Sequence, residues 1–347
     1  MILDPILDIF RGKAVTIPPL DGAFRPNTRL DDAKLFARLP EADNLATRDG
    51  ALLASSGNTV FALTVGGEPS PVSSYASPVT ALAISPAGEI AVGLENGNLF
   101  LGGAHAPLPA NVRCITALAY DPDGALWLAN GSAAHAPSDW ATDLMRHGSS
   151  GSIWKRETGG GFSQAADGLA FPYGLLPAQG GVVVSESWRH RLVRIDASGH
   201  VSTVASKLPG YPARLSRTFD GGAWLAIFAP RNRLIEFVLQ ETGYLEDMID
   251  TVPSQFWIAP AMSSNRSFLE PLQCGGIKTM GIHKPWSPSR SYGMAVRLDA
   301  GLNPLFSLHS RANGTRHGTC SVVEMGENLF VASRGGDCVL ALDTGEL

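Results

Sequence analysis

The stretch Thr116-Ala-Leu-Ala-Tyr-Asp-Pro-Asp-Gly-Ala-Leu-Trp-Leu-Ala129 sets two alternating apolar runs on either side of an Asp-Gly turn. That turn pair supplies the positive φ a tight hairpin needs, and period-two alternation marks strands rather than a helix. The phrase recurs at 44–55, 80–93, 173–185, 214–226 and 320–332. Gly50, Gly88 and Gly124, one per turn, lie 38 and 36 residues apart, the length of one four-stranded blade. Third strands are expected at 59–65, 98–101, 152–156, 191–195, 234–239 and 339–342, with an additional strand at 292–299. Six hairpins with following strands predict an all-β, six-bladed β-propeller around a central channel. A two-sheet sandwich also uses many short strands, but not at this period. Closing the ring requires the first and last blades to share strands, and residues 33–39 are the expected outer strand of the last blade.

Composition narrows the rest. Hydrophobic residues make up 44% and charged residues 17%, which supports a buried core and excludes a disordered chain. A net charge of −5 without clustered Lys/Arg gives no nucleic-acid footprint. The densest basic run, Arg189, His190, Arg191 and Arg194, reads as a local ion-pair site. Cys114, Cys274, Cys320 and Cys338 show neither a CxxC nor a zinc spacing, so buried free thiols are expected over a disulfide framework.

Ile6, Leu7, Ile9 and Phe10 form the apolar stripe of an expected short N-terminal helix ending at Gly12. That helix either packs on the propeller or docks to a partner or membrane surface. The absence of a basic n-region and an unbroken apolar h-region argues against a signal peptide. No apolar run reaches 18 residues, so no transmembrane segment is expected. The expectation is a cytoplasmic protein with one domain over 1–347, residues 1–32 being its helix and lead-in. Residues 248–291 form a long insertion placed between the fifth and sixth repeats. It would fold over the channel mouth as a lid, cap a blade edge or form a dimer contact, which leaves a homo-oligomer open.

Residues 171–232 resemble the strictosidine synthase-like family. Phe171-Pro-Tyr-Gly174 is similar to its Phe-Ala-Asn-Gly, and Val184-Ser-Glu-Ser-Trp-Arg-His-Arg191 to its Glu-Thr strand followed by Arg. Leu208-Pro-Gly-Tyr-Pro212 and Gly222-Ala-Trp-Leu-Ala226 resemble its Leu-Pro-Gly-Tyr-Pro-Asp-Asn and Phe-Trp-Val-Ala pair. Pro40-Glu41 followed by Leu45 looks like the first-blade Gly-Pro-Glu motif, and the insertion, with Trp257-Ile-Ala-Pro260 and Lys284-Pro-Trp286, looks like a bacterial branch. The resemblance implies a six-bladed propeller with its site at one channel mouth, in a clan that includes gluconolactonase and paraoxonase propellers. It does not fix the chemistry.

Hydrolase relatives in that clan hold calcium in the channel, and calcium needs six to eight oxygen ligands. Carried across the motifs, the first-blade ligand is Glu41. The fourth-blade Asn becomes Tyr173, the fifth-blade Asp-Asn pair becomes Ala213-Arg214, and the third-blade place falls near Thr116 and Ala117. One carboxylate remains, beside a positive charge, so no cofactor is expected. Asp43 and Asn44 with Glu41 leave room for a weak calcium site. Arg214 is expected to pair with Glu41 across the channel, as a structural ion pair or as the group that binds a substrate carboxylate. True synthases carry a catalytic Glu four residues before another Glu. Here the second is Glu324 and the catalytic place falls on Cys320, whose thiol cannot shuttle protons as a carboxylate does.

Glu186 and Arg191 are expected to tie neighbouring strands. His317 and Cys320 stand together as a His–thiol pair or as two inert buried groups. The aromatics Tyr211, Trp188, Trp257, Trp286 and Tyr292 suit an apolar pocket under the lid. The leading expectation is a hydrolase of a small lactone or ester. Glu41 or His317 would be its general base and Arg214 or Tyr173 its oxyanion stabiliser; Tyr211, Trp188, Trp257, Trp286 and Cys320 would contact a small-molecule substrate that bears a carboxylate. The alternatives are a metal-free condensation, isomerase or lyase enzyme and a non-catalytic ligand-binding or scaffold propeller.

Overall fold

Each repeat becomes a four-stranded antiparallel sheet whose hairpin forms the two innermost strands. The computed structural model describes residues 16–65, 67–264, 266–267, 269–271, 278–279, 282–283 and 289–347. The expected N-terminal helix, Cys274 and Trp286 lie outside them. Blade one is Leu45–Arg48, Ala51–Ser56, Thr59–Leu63 and Ser70–Ser74; blade two is Val79–Ile84, Ile90–Leu94, Leu99–Leu101 and Ala104–Ala106. Blade three is Ile115–Tyr120, Leu126–Asn130, Gly151–Arg156 and Phe162–Leu169; blade four is Pro172–Ala178, Gly181–Glu186, Arg191–Asp196 and Val201–Ala205. Blade five is Gly210–Arg217, Ala223–Pro230, Gly293–Leu298 and Pro304–Ser310. Blade six joins Thr319–Met325, Asn328–Ser333 and Cys338–Asp343 to the N-terminal strand Lys34–Arg38. That last pairing, from Lys34 opposite Ala341 to Arg38 opposite Cys338, closes the ring as the sequence predicts. Gly50, Gly88 and Gly124 take φ of 77°, 82° and 86°, the left-handed backbone their turns require.

Alternation holds the blades together. In Leu126–Asn130, Leu126 and Leu128 pack toward Ala91 and Ile115, while Trp127 and Ala129 pack toward Val182 and Val184. Val183 faces the next layer, with Leu225 and Val296. Successive side chains of one strand thus enter two different inter-blade layers, so these strands are buried on both faces.

The fifth blade departs from expectation. The segment expected as its third strand is a helix, Arg233–Val238, whose start is capped by the Asn232 side chain accepting from Leu234 N–H. A second helix, Thr242–Thr251, follows. Ile235 and Val238, then Leu245 and Met248, are the buried positions. This i, i+3 spacing belongs to a helix and overrides the apolar run that suggested a strand. The third strand is Gly293–Leu298, the segment expected as an additional one. The insertion is therefore residues 231–292, inside blade five between its second and third strands, and starts earlier than 248. A shorter insertion occupies the same place in blade three and carries the helix Trp140–Met145.

Leu128 is fully buried between two blades. Replacing it by Ala should lower unfolding stability by about 2–5 kcal/mol, read as a drop in the urea midpoint at unchanged slope.

Candidate functional site

In an up-and-down blade, the first strand starts at the end where the second strand stops. The starts of six inner strands and six second-to-third connections therefore share one channel mouth. A cavity of about 290 Å³ lies there. Its lining residues Asp43, Thr80, Thr116 and Tyr173 come from or just before inner strands. Gly57, Glu95, Trp140, Trp188, Met262 and Arg334 come from the connections of blades one to six in turn.

One wall is aromatic. Phe171 stacks on Trp188 at 4.4 Å, Trp140 meets Phe228 edge-on at 5.4 Å, and Tyr173 meets Phe228 at 5.8 Å. Trp188 is held from both sides: its Nε1 donates to Asp143 Oδ1 at 2.7 Å, and the turn that carries it is tied by Glu186. The fully buried Glu186 carboxylate accepts from Arg189 and Arg191 at 2.5 Å each and from Ala170 N–H at 2.8 Å. Glu186 and Arg191 tie strands together, as expected.

The opposite wall carries Glu41, Asp43, Glu95 and Arg334. Arg334 reaches Glu41 Oε2 at 3.4 Å and Asp43 Oδ2 at 3.5 Å. Burial alone would push its guanidinium down, but Asp43 and its neighbours outweigh that and hold it charged. Glu41 is two-thirds exposed, sits at φ 48°, and donates its N–H to Asp337 Oδ1 at 2.9 Å. Phe171 on the aromatic wall likewise takes φ 54°. Non-glycine residues rarely adopt this backbone, and here two of them border one cavity. Tyr173 is almost wholly buried, and burial pushes its phenol well above its usual value of 10, so it remains a proton donor.

Beneath Asp43 and Tyr173 lies Arg214. Its Nη1 donates to Asp43 Oδ1 at 2.5 Å, so its carboxylate partner is Asp43, where Glu41 was expected. Glu41 stands outside at the rim, while Asp43 is buried. Arg214 Nη2 donates to Thr80 O at 2.6 Å and Thr116 O at 3.2 Å, and the guanidinium carbon lies 5.0 Å from the centre of the Tyr173 ring. Asn44 Nδ2 donates to Ser55 Oγ at 2.9 Å, and its buried Oδ1 has no partner.

Several expected site residues stand elsewhere. His317 is buried away from the cavity lining, its Nε2 2.8 Å from Arg311 O and its Nδ1 2.8 Å from Ser291 Oγ. A carbonyl can only accept, so Nε2 carries the proton and Nδ1 accepts from Ser291. Burial pushes its pKa down, and both nitrogens are engaged, so it is no general base for this cavity. Cys320 is fully buried, and burial, then Asp43, push its thiol up to about 12. Tyr211 is fully buried behind Trp188, with its hydroxyl 3.3 Å from Glu236. Trp257 is buried in the insertion, where its Nε1 donates to Val252 O at 2.7 Å. None of these four lines the cavity. The insertion reaches it through Met262 instead. Arg334, Glu95 and Trp140 were missed, although Arg334 and Glu95 occupy in blades six and two the place that Trp188 occupies in blade four.

No family model matches the chain. It is 26% identical over 313 residues to the zebrafish (Danio rerio) adipocyte plasma membrane-associated protein, covering 77% of this chain and 74% of that one. Among solved structures it is similar to a gluconolactonase from Xanthomonas campestris, at a TM-score of 0.55 and 13% identity over 90% of this chain and 88% of the other. A structure described as a candidate gluconolactonase gives the same TM-score and identity, with 90% and 91% covered. These likenesses agree with the six-bladed propeller fold. Among the described residues, no helix is long and apolar enough to cross a membrane.

Two outcomes follow from these environments. Cys114 is also fully buried, and burial lifts its thiol to about 12. At pH 8 iodoacetamide should leave Cys114 and Cys320 unmodified in the native protein and alkylate both in denaturant, as read by peptide mass mapping. Behind the aromatic wall, burial raises Glu236, but hydrogen bonds from His190 and Arg231 outweigh it and hold the carboxyl at about 2 against 4.5 unperturbed. A depressed carboxylate stabilises the fold above its unfolded value, and that stability is lost as pH falls from about 4.5 through about 2. Urea midpoints across this window should fall more steeply for the wild type than for Glu236→Gln.

Proposed function

We propose that this chain is a hydrolase of a small lactone or ester, acting at the channel mouth on a substrate with an apolar body and no anionic group. The observation that carries this reading is the division of one cavity into an aromatic wall and a wall of Glu41, Asp43 and Glu95 with Arg334. The gluconolactonase propellers that the fold resembles support the reaction class. The size of the cavity, about 290 Å³, suits a small substrate.

Glu41, open to water at the rim, takes a proton from the water that attacks the carbonyl carbon. The oxygen of the tetrahedral intermediate accepts from Arg334 and from the Tyr173 hydroxyl, which burial keeps protonated. Collapse breaks the acyl C–O bond, and the departing alkoxide recovers the proton from Glu41. The product carries a new carboxylate into a cavity already lined by three, and like-charge repulsion favours its release. Arg214 is spent on internal partners, so the substrate carboxylate expected from the sequence has only Arg334 to meet, already shared by Glu41 and Asp43.

The test is turnover of a panel of neutral and anionic lactones and esters. Neutral members with apolar bodies should be preferred, and Glu41→Gln should lower kcat about 10²–10⁴-fold, the usual range for losing a general base. Absence of turnover across the panel, or wild-type rates in Glu41→Gln, would overturn the proposal.

A further inference from the structure

The channel axis of this propeller is occupied by a side chain. Five blades present a group to the Arg214 guanidinium, and the remaining blade supplies it. Blade one gives Asp43 Oδ1 at 2.5 Å, blade two Thr80 O at 2.6 Å, blade three Thr116 O at 3.2 Å and blade six Cys320 O at 3.5 Å. Blade four gives the face of Tyr173 at 5.0 Å, and blade five supplies the arginine itself. The three carbonyls belong to inner strands, which have no further strand on the channel side to satisfy them. They form a cage of oxygens, and a cage of oxygens selects a cation.

We propose that Arg214 is the built-in central cation of this propeller, filling the place in which a channel metal of the calcium class would sit and positioning Asp43 at the floor of the cavity. The residues present do not fit a metal. Calcium takes six to eight oxygens at about 2.3–2.6 Å, whereas this cage offers one carboxylate oxygen and three carbonyls. A dication among them would also stand in contact range of the guanidinium, a like-charge encounter inside a channel of low dielectric. Among the described residues, no group of three or more His, Cys, Asp or Glu gathers at a common point. Arg214 is a positioning residue: it does not line the cavity, but it holds the inner oxygen of Asp43 while the outer oxygen faces Arg334 at 3.5 Å. This role stands whether or not the cavity hydrolyses anything.

The experiment uses the full chain, with calcium content after dialysis and melting temperature in calcium, in chelator and in methylguanidinium. The wild type should carry no stoichiometric calcium and melt at one temperature in calcium and chelator. Arg214→Met, which removes the guanidinium while leaving Asp43, should melt several degrees lower and recover part of the loss in millimolar methylguanidinium but not in calcium. Arg214→Lys keeps the charge and should stay indifferent to calcium, and it serves as the test where Arg214→Met does not fold. A wild-type protein that retains calcium or is stabilised by it would overturn the proposal. So would an Arg214→Met protein that melts like the wild type or is not restored by methylguanidinium, or an Arg214→Lys protein that takes up calcium.

Discussion

The ion pair between Arg214 and Asp43 is the constraint around which the channel is organised. Both groups are buried, and a buried charge without its partner is costly, so removal of either side of such a pair costs about 3–5 kcal/mol. Pairing alone would satisfy one nitrogen. The second is satisfied because inner strands must leave carbonyls facing the channel, and Thr80 and Thr116 turn theirs to it. The need of the backbone for a donor and the need of the two terminal guanidinium nitrogens for acceptors are met in one place, while Arg214 Nε is left without a partner. That mutual need also ties blade one to blade five across the channel, a contact no neighbouring-blade packing could supply.

The site follows from blade topology. Six second-to-third connections meet at one mouth, and the chain is enlarged at two of them, 231–292 in blade five and the segment carrying Trp140–Met145 in blade three. Lengthening these connections builds over the mouth without disturbing any strand register. The blade-three segment brings Trp140 to the aromatic wall and Asp143 to the indole N–H of Trp188. The blade-five segment brings Met262 to the rim and buries Tyr211 behind the wall. Shape at the mouth is set by loops, while the floor is set by the invariant geometry of strand starts.

The fold was legible because each blade repeats one local signal: alternation on both sides of a glycine turn. Strand closure by Lys34–Arg38 was legible for the same reason, since a ring of six hairpins lacks one strand without it. The helix Arg233–Val238 was misread because a short apolar run serves either structure, and only the burial of Ile235 with Val238 decides between them. At the site, Glu41, Tyr173 and Trp188 were readable from their places in the motifs. Glu41 was expected as the partner of Arg214, a place that Asp43 takes, because which of two nearby carboxylates meets Arg214 depends on the left-handed backbone at Glu41, which no sequence pattern announces. Arg334 and Glu95 were legible only by aligning the ends of the second strands. His317, in the loop before the inner strand of blade six, and Cys320, within that strand, do not line the cavity because both side chains are buried in the protein.

Charge and shape at the mouth are finally one matter. Arg214 and Arg334 together balance Asp43 and Glu41, so the carboxylate left over in the cavity is Glu95. Glu95 Oε1 accepts the backbone N–H of Ser138 at 3.0 Å, two residues before Trp140. The group that gives the cavity its negative excess therefore also anchors the loop that carries part of its aromatic wall. An anion entering the cavity would meet that excess and compete for Arg334, drawing it from Glu41 and Asp43. Under the proposed reaction, a neutral substrate with an apolar body would leave the pairs intact and gain the wall, which would select on charge before selecting on shape.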